Sequence, residues 1–279
     1  MARSRIKSII RQLGVFIHSQ FTIHNSQLIL TQFSIIIITK NAATHIEACL
    51  ASVAWADEII VVDCGSTDNT VALCRPFTNK IFVTNDWPGF GIQKNRALAK
   101  ATGEWILSID ADERVTIALQ QEIKHLTKNS TYTAFRISRQ SRYCGRWIKH
   151  SGWSPDYVIR LFRRNCAHFS DDLVHEVLQV LQGNIGTLKT PLLHYSFNSL
   201  EEVLEKINSY SSANALKYLE QGQKSSLTKA ISHGLWAFIR TYIVRGGFLD
   251  GREGFMLAVS NAEGTYYRYL KLLYLQESL

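Results

Sequence analysis

The chain reads as an α/β protein with a mostly parallel sheet flanked by helices and a helical C-terminal appendage. Three observations predict this. The runs Phe33–Thr39 and Glu58–Asp63 are apolar and β-branched without polar alternation, as strands buried on both faces require. Segments with helical spacing separate such runs, the arrangement that produces parallel sheets covered on two sides. From Leu200 onward the apolar spacing is helical to the end.

The elements follow in order. After the first strand, Ile46, Cys49, Leu50 and Val53 recur at helical spacing, with Asn41 and Thr44 as start signals. The second strand leads through the turn Gly65-Ser-Thr-Asp-Asn69 into a short helix ending near Pro76. Ile81–Thr84 predicts a third strand, Gly91–Ala101 a helix and Trp105–Ile109 a fourth strand. Beyond about residue 130 the pattern loosens into short strands, Ala134–Ile137 and Val158–Phe162 among them. The organisation expected is an N-terminal extension (1–32), an α/β domain (33–198) that divides into two halves (33–125 and 126–198), and a helical region (199–279).

Bulk properties narrow the class. With 279 residues and 46% hydrophobic content, the chain can bury a full core. A net charge of +8 points to an anionic partner. Five scattered cysteines without a C-x-x-C pair argue against a disulfide framework or zinc ribbon and fit reduced thiols in a cytoplasmic setting. The extension carries Arg3, Arg5, Lys7 and Arg11 ahead of a short apolar stretch, too short for a signal core or a span. It reads as a loosely ordered tail or a basic surface-binding arm.

Ligands of parallel sheets bind outside the carboxyl ends of the strands. Thr39, Lys40 and Asn41 follow the first strand, Asp63 ends the second, and Asp110 and Asp112 follow the fourth. An isolated D-x-D is most often a solvated acidic turn. One that leaves a buried strand can hold Mg²⁺ or Mn²⁺, hard cations that take one or two carboxylates plus phosphate oxygens. Asp63 can accept hydrogen bonds from a base or ribose, while Ser66 or Asp68 can cap the next helix. Lys94 and Arg96 can face a diphosphate or form a solvated basic face. Neither a dinucleotide fingerprint nor a P-loop is present.

The ordered set Thr39-Lys-Asn41, Val62-Asp63-Cys-Gly-Ser-Thr-Asp68, Gln93-Lys-Asn95-Arg96 and Ala101-Thr-Gly103-Glu-Trp-Ile-Leu-Ser-Ile-Asp110-Ala-Asp112-Glu113 resembles the family 2 glycosyltransferases of GT-A fold. Cys64 stands where that family more often has Ser or Asp. The motifs Gly152-Trp-Ser-Pro-Asp156, Arg160-Leu-Phe-Arg-Arg164, Val174-His175-Glu176, Leu193-His194-Tyr-Ser-Phe197 and Tyr242–Arg252 with Gly254 are similar to the lipopolysaccharide core β-glucosyltransferase subgroup. The likeness spans roughly residues 33–275.

The resemblance implies an inverting transferase that moves a hexose, with UDP-glucose as the expected donor. Thr39, Asn41, Asp63, Ser66, Lys94, Arg96, Asp110 and Ala111 are expected to bind the nucleotide sugar, with Asp63 reading the uracil. Asp112, Asp110 and His194 are expected to serve a divalent metal. His175-Glu176 is no zincin motif, because Gln179 stands where H-E-x-x-H requires histidine. Glu176 is the first choice for general base, with Asp156, Asp171 and Asp172 as alternatives.

From Arg136 to Arg164 eight basic residues face one acid, Asp156, with Tyr143, Trp147, Trp153 and Tyr157 interleaved. Aromatic faces stack on sugars and arginines pair with anions, so Trp153, Arg160 and His175 are expected at an acceptor site. An anionic glycolipid, the lipopolysaccharide core, is the acceptor expected. A nucleic-acid partner is not expected, since no RRM, KH or zinc-finger pattern accompanies the charge. Ile231–Phe248 can lie on the inner membrane face as an amphipathic segment, helped by Tyr266, Tyr267, Tyr269 and Tyr274, or pack on the core. Alternative functions are a polyprenyl-phosphate or other cell-envelope glycosyltransferase, and a non-enzymatic nucleotide-sugar or nucleic-acid binder.

Overall fold

A computed structural model of the protein describes residues 33–128, 130–170 and 177–278. The N-terminal extension, with its expected roles, lies outside the described residues. So do Asp171, Asp172, His175 and Glu176.

The first half alternates as expected: β1 (Phe33–Thr39), α1 (Ile46–Val53), β2 (Glu58–Asp63), α2 (Thr70–Cys74), β3 (Ile81–Val83), α3 (Phe90–Leu98) and β4 (Trp105–Ser108). Then come β5 (Glu113–Arg114), α4 (Ile117–Thr127), β6 (Tyr132–Tyr143), β7 (Arg146–Trp147), β8 (Asp156–Arg163), β9 (Ala167–Phe169), β10 (Leu178–Val180), β11 (Asn184–Thr187) and β12 (Leu192–Phe197). Three helices close the chain: α5 (Leu200–Glu220), α6 (Leu227–Ile239) and α7 (Gly251–Glu277).

The main sheet runs β3-β2-β1-β4-β8-β6-β12-β5, with β7 and β11 also paired to β6. Strands β3, β2, β1 and β4 are mutually parallel, and β8 joins β4 antiparallel. The chain moves outward from β1 to β3 and then returns to β1's other side with β4. That reversal opens a crevice at the carboxyl ends of β1, β2 and β4. The short strands expected at 134–137 and 158–162 are parts of the longer β6 and β8, which pair with each other over most of their length.

Period-two alternation explains the two cores. Ile35, Ile37, Ile59, Val61, Trp105 and Leu107 point to one face, which α1 and α4 cover through Leu50, Val53, Leu119 and Ile123. Ile36, Ile38, Ile60, Val62 and Ile106 point to the other, which Ala97 of α3 and the β9–β10 hairpin cover. Burial on both faces is why these strands carry no polar alternation.

A third cluster joins Tyr143 and Ile148 to Val203 of α5 and Leu257 of α7, with Trp153 and Phe197 against it. Asp250, just ahead of α7, is buried and accepts hydrogen bonds from the Lys149 and His150 backbone N–H groups, both at 3.0 Å, and from the Ser151 hydroxyl at 2.8 Å. Gly254 lets this joint close. A Cβ there would sit 1.9 Å from the Gly247 carbonyl oxygen.

At the opposite end of the strands from the crevice, Glu58 is buried and binds Lys80 and the Ser34 hydroxyl. It also accepts from the Thr102 N–H at 2.8 Å, while Ser34 Oγ accepts from Gly103 N–H at 2.8 Å. Burial opposes ionisation of Glu58, but the bonds from Lys80, Ser34 and Thr102 outweigh it and hold the pKa below the ordinary glutamate value. Stability from such a carboxylate is fully present above the unfolded-state pKa and is lost as pH falls through the lowered folded one. Glu58→Gln should therefore reduce unfolding free energy near neutral pH by about 1–3 kcal/mol. The gap between the two proteins should narrow as urea titrations move from about pH 7 to about pH 3.

Candidate active site

The loops after β1 and β2 are sewn together by short polar side chains. Asn41, at φ 49, donates its N–H to Ser66 Oγ at 2.8 Å, and its Oδ1 accepts from Thr67 N–H at 2.8 Å. Asp68 accepts from Ala43 N–H at 3.1 Å and Thr70 N–H at 3.0 Å. Asp63 is fully buried. Its Oδ1 accepts from the Gly65 and Ser66 N–H groups at 3.0 and 2.8 Å, and its other oxygen from the Ser66 hydroxyl. Turn capping therefore accounts for Asp63 as well as Asp68, where the sequence suggested it for Ser66 or Asp68. Gly65 adopts φ +76, a conformation that a side chain would strain. The buried Thr39 hydroxyl, at the end of β1, finds no hydrogen-bond partner among the described residues.

Charge concentrates at the end of β4. Asp110 lies 3.1 Å from Lys94 Nζ and accepts a hydrogen bond from Arg160. The same Arg160 nitrogen donates to Glu113 at 2.6 Å, and Glu113 accepts from the Asp110 backbone N–H at 2.9 Å. Lys94 and Arg160 are 3% and 6% exposed, and Glu113 is fully buried. Burial works against the ionised form of Asp110, yet the charges of Arg160 and Lys94 outweigh it and pull the pKa below the ordinary value. For Glu113 burial pushes the pKa up, with the neighbouring Asp110 charge adding to it against the pull of Arg160.

Asp112 faces the other way. Its Oδ2 lies 3.4 Å from His194 Nε2, and the Tyr195 N–H donates to its backbone carbonyl at 2.9 Å. His194 is delivered by β12, where it pairs with Glu113 of β5 on one side and Ser141 of β6 on the other. Its Nδ1 lies 2.9 Å from both the Ser141 and Ser196 hydroxyls, which fix the ring with Nε2 toward Asp112. Burial disfavours the Asp112 carboxylate, but the His194 hydrogen bond together with the charges of His194 and Lys206 outweighs it, so its pKa is lowered.

This donor set fits a hard divalent cation in part. Asp112 and an oriented imidazole offer two ligands, the protein's share in sites completed by phosphate oxygens. Asp110 is already paired with two cations, Lys94 and Arg160. Among the described residues no group of three or more His, Cys, Asp or Glu side chains is gathered for a metal.

Beside His194 opens a pocket of about 600 Å³, lined by Trp153, Asp156, Arg139, Phe197, Lys206 and Tyr210 among others. Trp153 stacks on Phe197, rings 6.0 Å apart, and meets Tyr143 edge-on. Asp156 Oδ2 accepts from Arg139 Nε and Nη2 at 2.8 and 2.6 Å.

The structure thus brings Lys94, Asp110 and Arg160 together, and Asp112 with His194, and sets Trp153 and Asp156 in one pocket. Two expected site residues already hold partners. Arg160 is buried as the counter-charge of Asp110 and Glu113 and lines a pocket with Lys94 and Asp110. Arg96 is half-buried and held by Asp86 through two bonds of 2.7 Å. Ala111 sits between the two aspartates, partly buried against the core. Glu113 was legible only as the last residue of the D-A-D-E run. Arg139 and Ser141 carried no motif signal, because their partners lie on other strands.

The sequence model described as Glycosyl transferase family 2 matches residues 34–182. The chain belongs to glycosyl transferase family 2. An uncharacterized glycosyltransferase of Rickettsia felis is 33% identical over 268 residues, covering 89% of this chain and 90% of that protein. The lipopolysaccharide core biosynthesis glycosyltransferase LpsC of Rhizobium meliloti is 31% identical over 249 residues, covering 85% and 89%. Among solved structures, S. aureus TarS 1–349 in complex with UDP aligns with a TM-score of 0.46 at 18% identity, over 88% of this chain and 92% of that one.

Within this family 2 chain, the buried ion pairs make a direct test of how the strand end is held. Arg160→Ala should cost about 3–5 kcal/mol, because Asp110 and Glu113 lose a shared partner inside the protein. Adding Glu113→Gln in the Arg160→Ala background should recover part of the loss, read as a coupling energy from urea unfolding of the four proteins.

Proposed function

We propose that this family 2 enzyme transfers a hexose, with UDP-glucose as donor, to a hydroxyl of a lipopolysaccharide inner-core sugar, inverting the anomeric carbon. The observation that carries the reading is the Asp112–His194 pair set beside the charge-clamped Asp110, in the crevice where a parallel sheet receives its ligands. The likeness to a lipopolysaccharide core enzyme supports the acceptor class.

In this reading Thr39, Asn41, Asp63 and Ser66 receive the nucleoside. The unpartnered Thr39 hydroxyl offers a bond to it, and the Asp63 turn shapes the wall behind it. Asp110 and Ala111 border the ribose, and Lys94 places a buried positive charge toward the diphosphate. Arg96 can join it only by releasing Asp86. Asp112 and His194 would hold Mg²⁺ or Mn²⁺, with Asp110 nearby. When bound, the cation supplies Lewis-acid neutralisation of the departing diphosphate.

Trp153 offers an aromatic face to the acceptor sugar in the 600 Å³ pocket. The acceptor oxygen bonds to the anomeric carbon as the bond to the diphosphate oxygen breaks, and UDP leaves with that electron pair. The acceptor proton goes to a carboxylate. Glu176 is assigned that role, with Asp156, already bonded to Arg139, as the alternative.

Donor hydrolysis and transfer across a panel of nucleotide sugars, with and without Mn²⁺ or Mg²⁺, test this reading. Turnover is expected with a UDP-hexose and only with metal. Asp112→Asn should reduce it by about two orders of magnitude or more without lowering the melting temperature. Glu176→Gln should lower transfer by about 10²–10⁴-fold. A folded protein that turns over no donor with metal and a core-oligosaccharide acceptor present rejects the reading.

A further inference from the structure

The C-terminal helices leave a contiguous apolar face uncovered. Phe238 of α6 meets Phe255 of α7 with rings 5.6 Å apart. Tyr242 meets Phe238 and Phe255 at 5.5 Å each, and Phe248 at 6.3 Å. These rings belong to a connected surface, with Phe248 52% and Phe255 47% exposed. Leu235, one turn before Phe238, is 60% exposed, and Ile243, Val244 and Leu249 in the linking turns are all more than half exposed. Among the described residues no helix is long and apolar enough to cross a membrane.

Charge says what this face meets. Residues 221–253 contain Lys224, Lys229, Arg240, Arg245 and Arg252 against two acids, both buried: Asp250 in the joint with residues 149–151, and Glu253 paired with Arg252. Lys224, Arg240, Arg245 and Arg252 are exposed, and Lys229 is half-buried against Tyr269. A second copy of the chain would bring cation against cation around the apolar rings, whereas an anionic surface satisfies both parts at once. Exposed rings and aliphatic side chains rimmed by Lys and Arg suit the headgroup layer of an anionic bilayer. Of the tyrosines expected to help, Tyr267 and Tyr274 are exposed. Tyr269 is buried and stacks on His233 at 4.4 Å.

We infer that Leu235, Phe238, Tyr242, Phe248 and Phe255, with Arg240 and Arg252 beside them, form a docking face for an anionic lipid surface. The inference deepens the proposed function, since it gives a reason for a glycolipid acceptor, but it stands on its own observations. The face packs through α7 and Asp250 onto the loop that precedes Trp153, so a docked surface would lie on the same body as the acceptor pocket.

Co-sedimentation of the full chain with phosphatidylglycerol-containing and pure phosphatidylcholine vesicles tests it. The protein should pellet preferentially with the anionic vesicles, and binding should weaken as salt rises. Phe248→Ser combined with Phe255→Ser should reduce binding at least about tenfold. Arg240→Glu should reduce it about fivefold or more. Each variant should keep the parent's melting temperature and donor hydrolysis, since none of these residues lies in the crevice. Equal binding to both vesicle types, or undiminished binding by folded variants, overturns the docking face and assigns any binding to another part of the chain. So does a stable dimer whose interface covers these residues and excludes vesicles. Vesicle binding that follows the expected pattern in a protein without transferase activity would refute the proposed reaction and leave the docking face standing.

Discussion

The candidate site depends on one arginine. Arg160, rising from β8 into the interior, divides its charge between Asp110 and Glu113, and Lys94 completes the balance from α3. A strand end carrying three acids within four residues would otherwise repel itself in a buried setting. With Asp110 and Glu113 both held by Arg160, Asp112 meets His194 of β12 instead. The charge cluster thus gives two aspartates, two residues apart, different partners.

That device requires the antiparallel half of the sheet. The parallel strands β1 to β4 can form a crevice but cannot reach across it. β8 supplies Arg160, β6 supplies Arg139 and Ser141, and β12 brings His194 opposite Glu113. Each arrives by hydrogen-bonded register, so strand pairing sets these positions, while Lys94 comes from α3 and Lys206 and Tyr210 from α5.

The helices after β12 add a wall and a face. Their inner side closes the pocket around Trp153 and Phe197, and their outer side holds the exposed rings. Asp250 links the two by capping residues 149–151, which makes the motif around it an architectural joint. The polar chemistry of the crevice and the apolar rim therefore belong to a single packed body.

Much was legible in one dimension because its causes are local. Two-sided burial leaves unbroken β-branched runs, helical spacing is visible in Ile46 to Val53, and the turn after Asp63 announces itself through glycine and short polar residues. The strand-end aspartates and the family follow from these patterns in order. Which aspartate would be clamped and which would face a histidine did not follow. Nor did the burial of Arg160, the bond between Arg96 and Asp86, or the capping role of Asp63. Those outcomes turn on charges and hydroxyls contributed by other segments, ten residues away for Asp86 and about fifty for Arg160, or on a turn's own N–H groups, and only the folded chain brings them within hydrogen-bonding range. Amino-acid order alone determined the strands, their burial and the presence of acids at their tips. Tertiary structure decided the pairing of those acids, because electrostatic partnership is a property of distance in space.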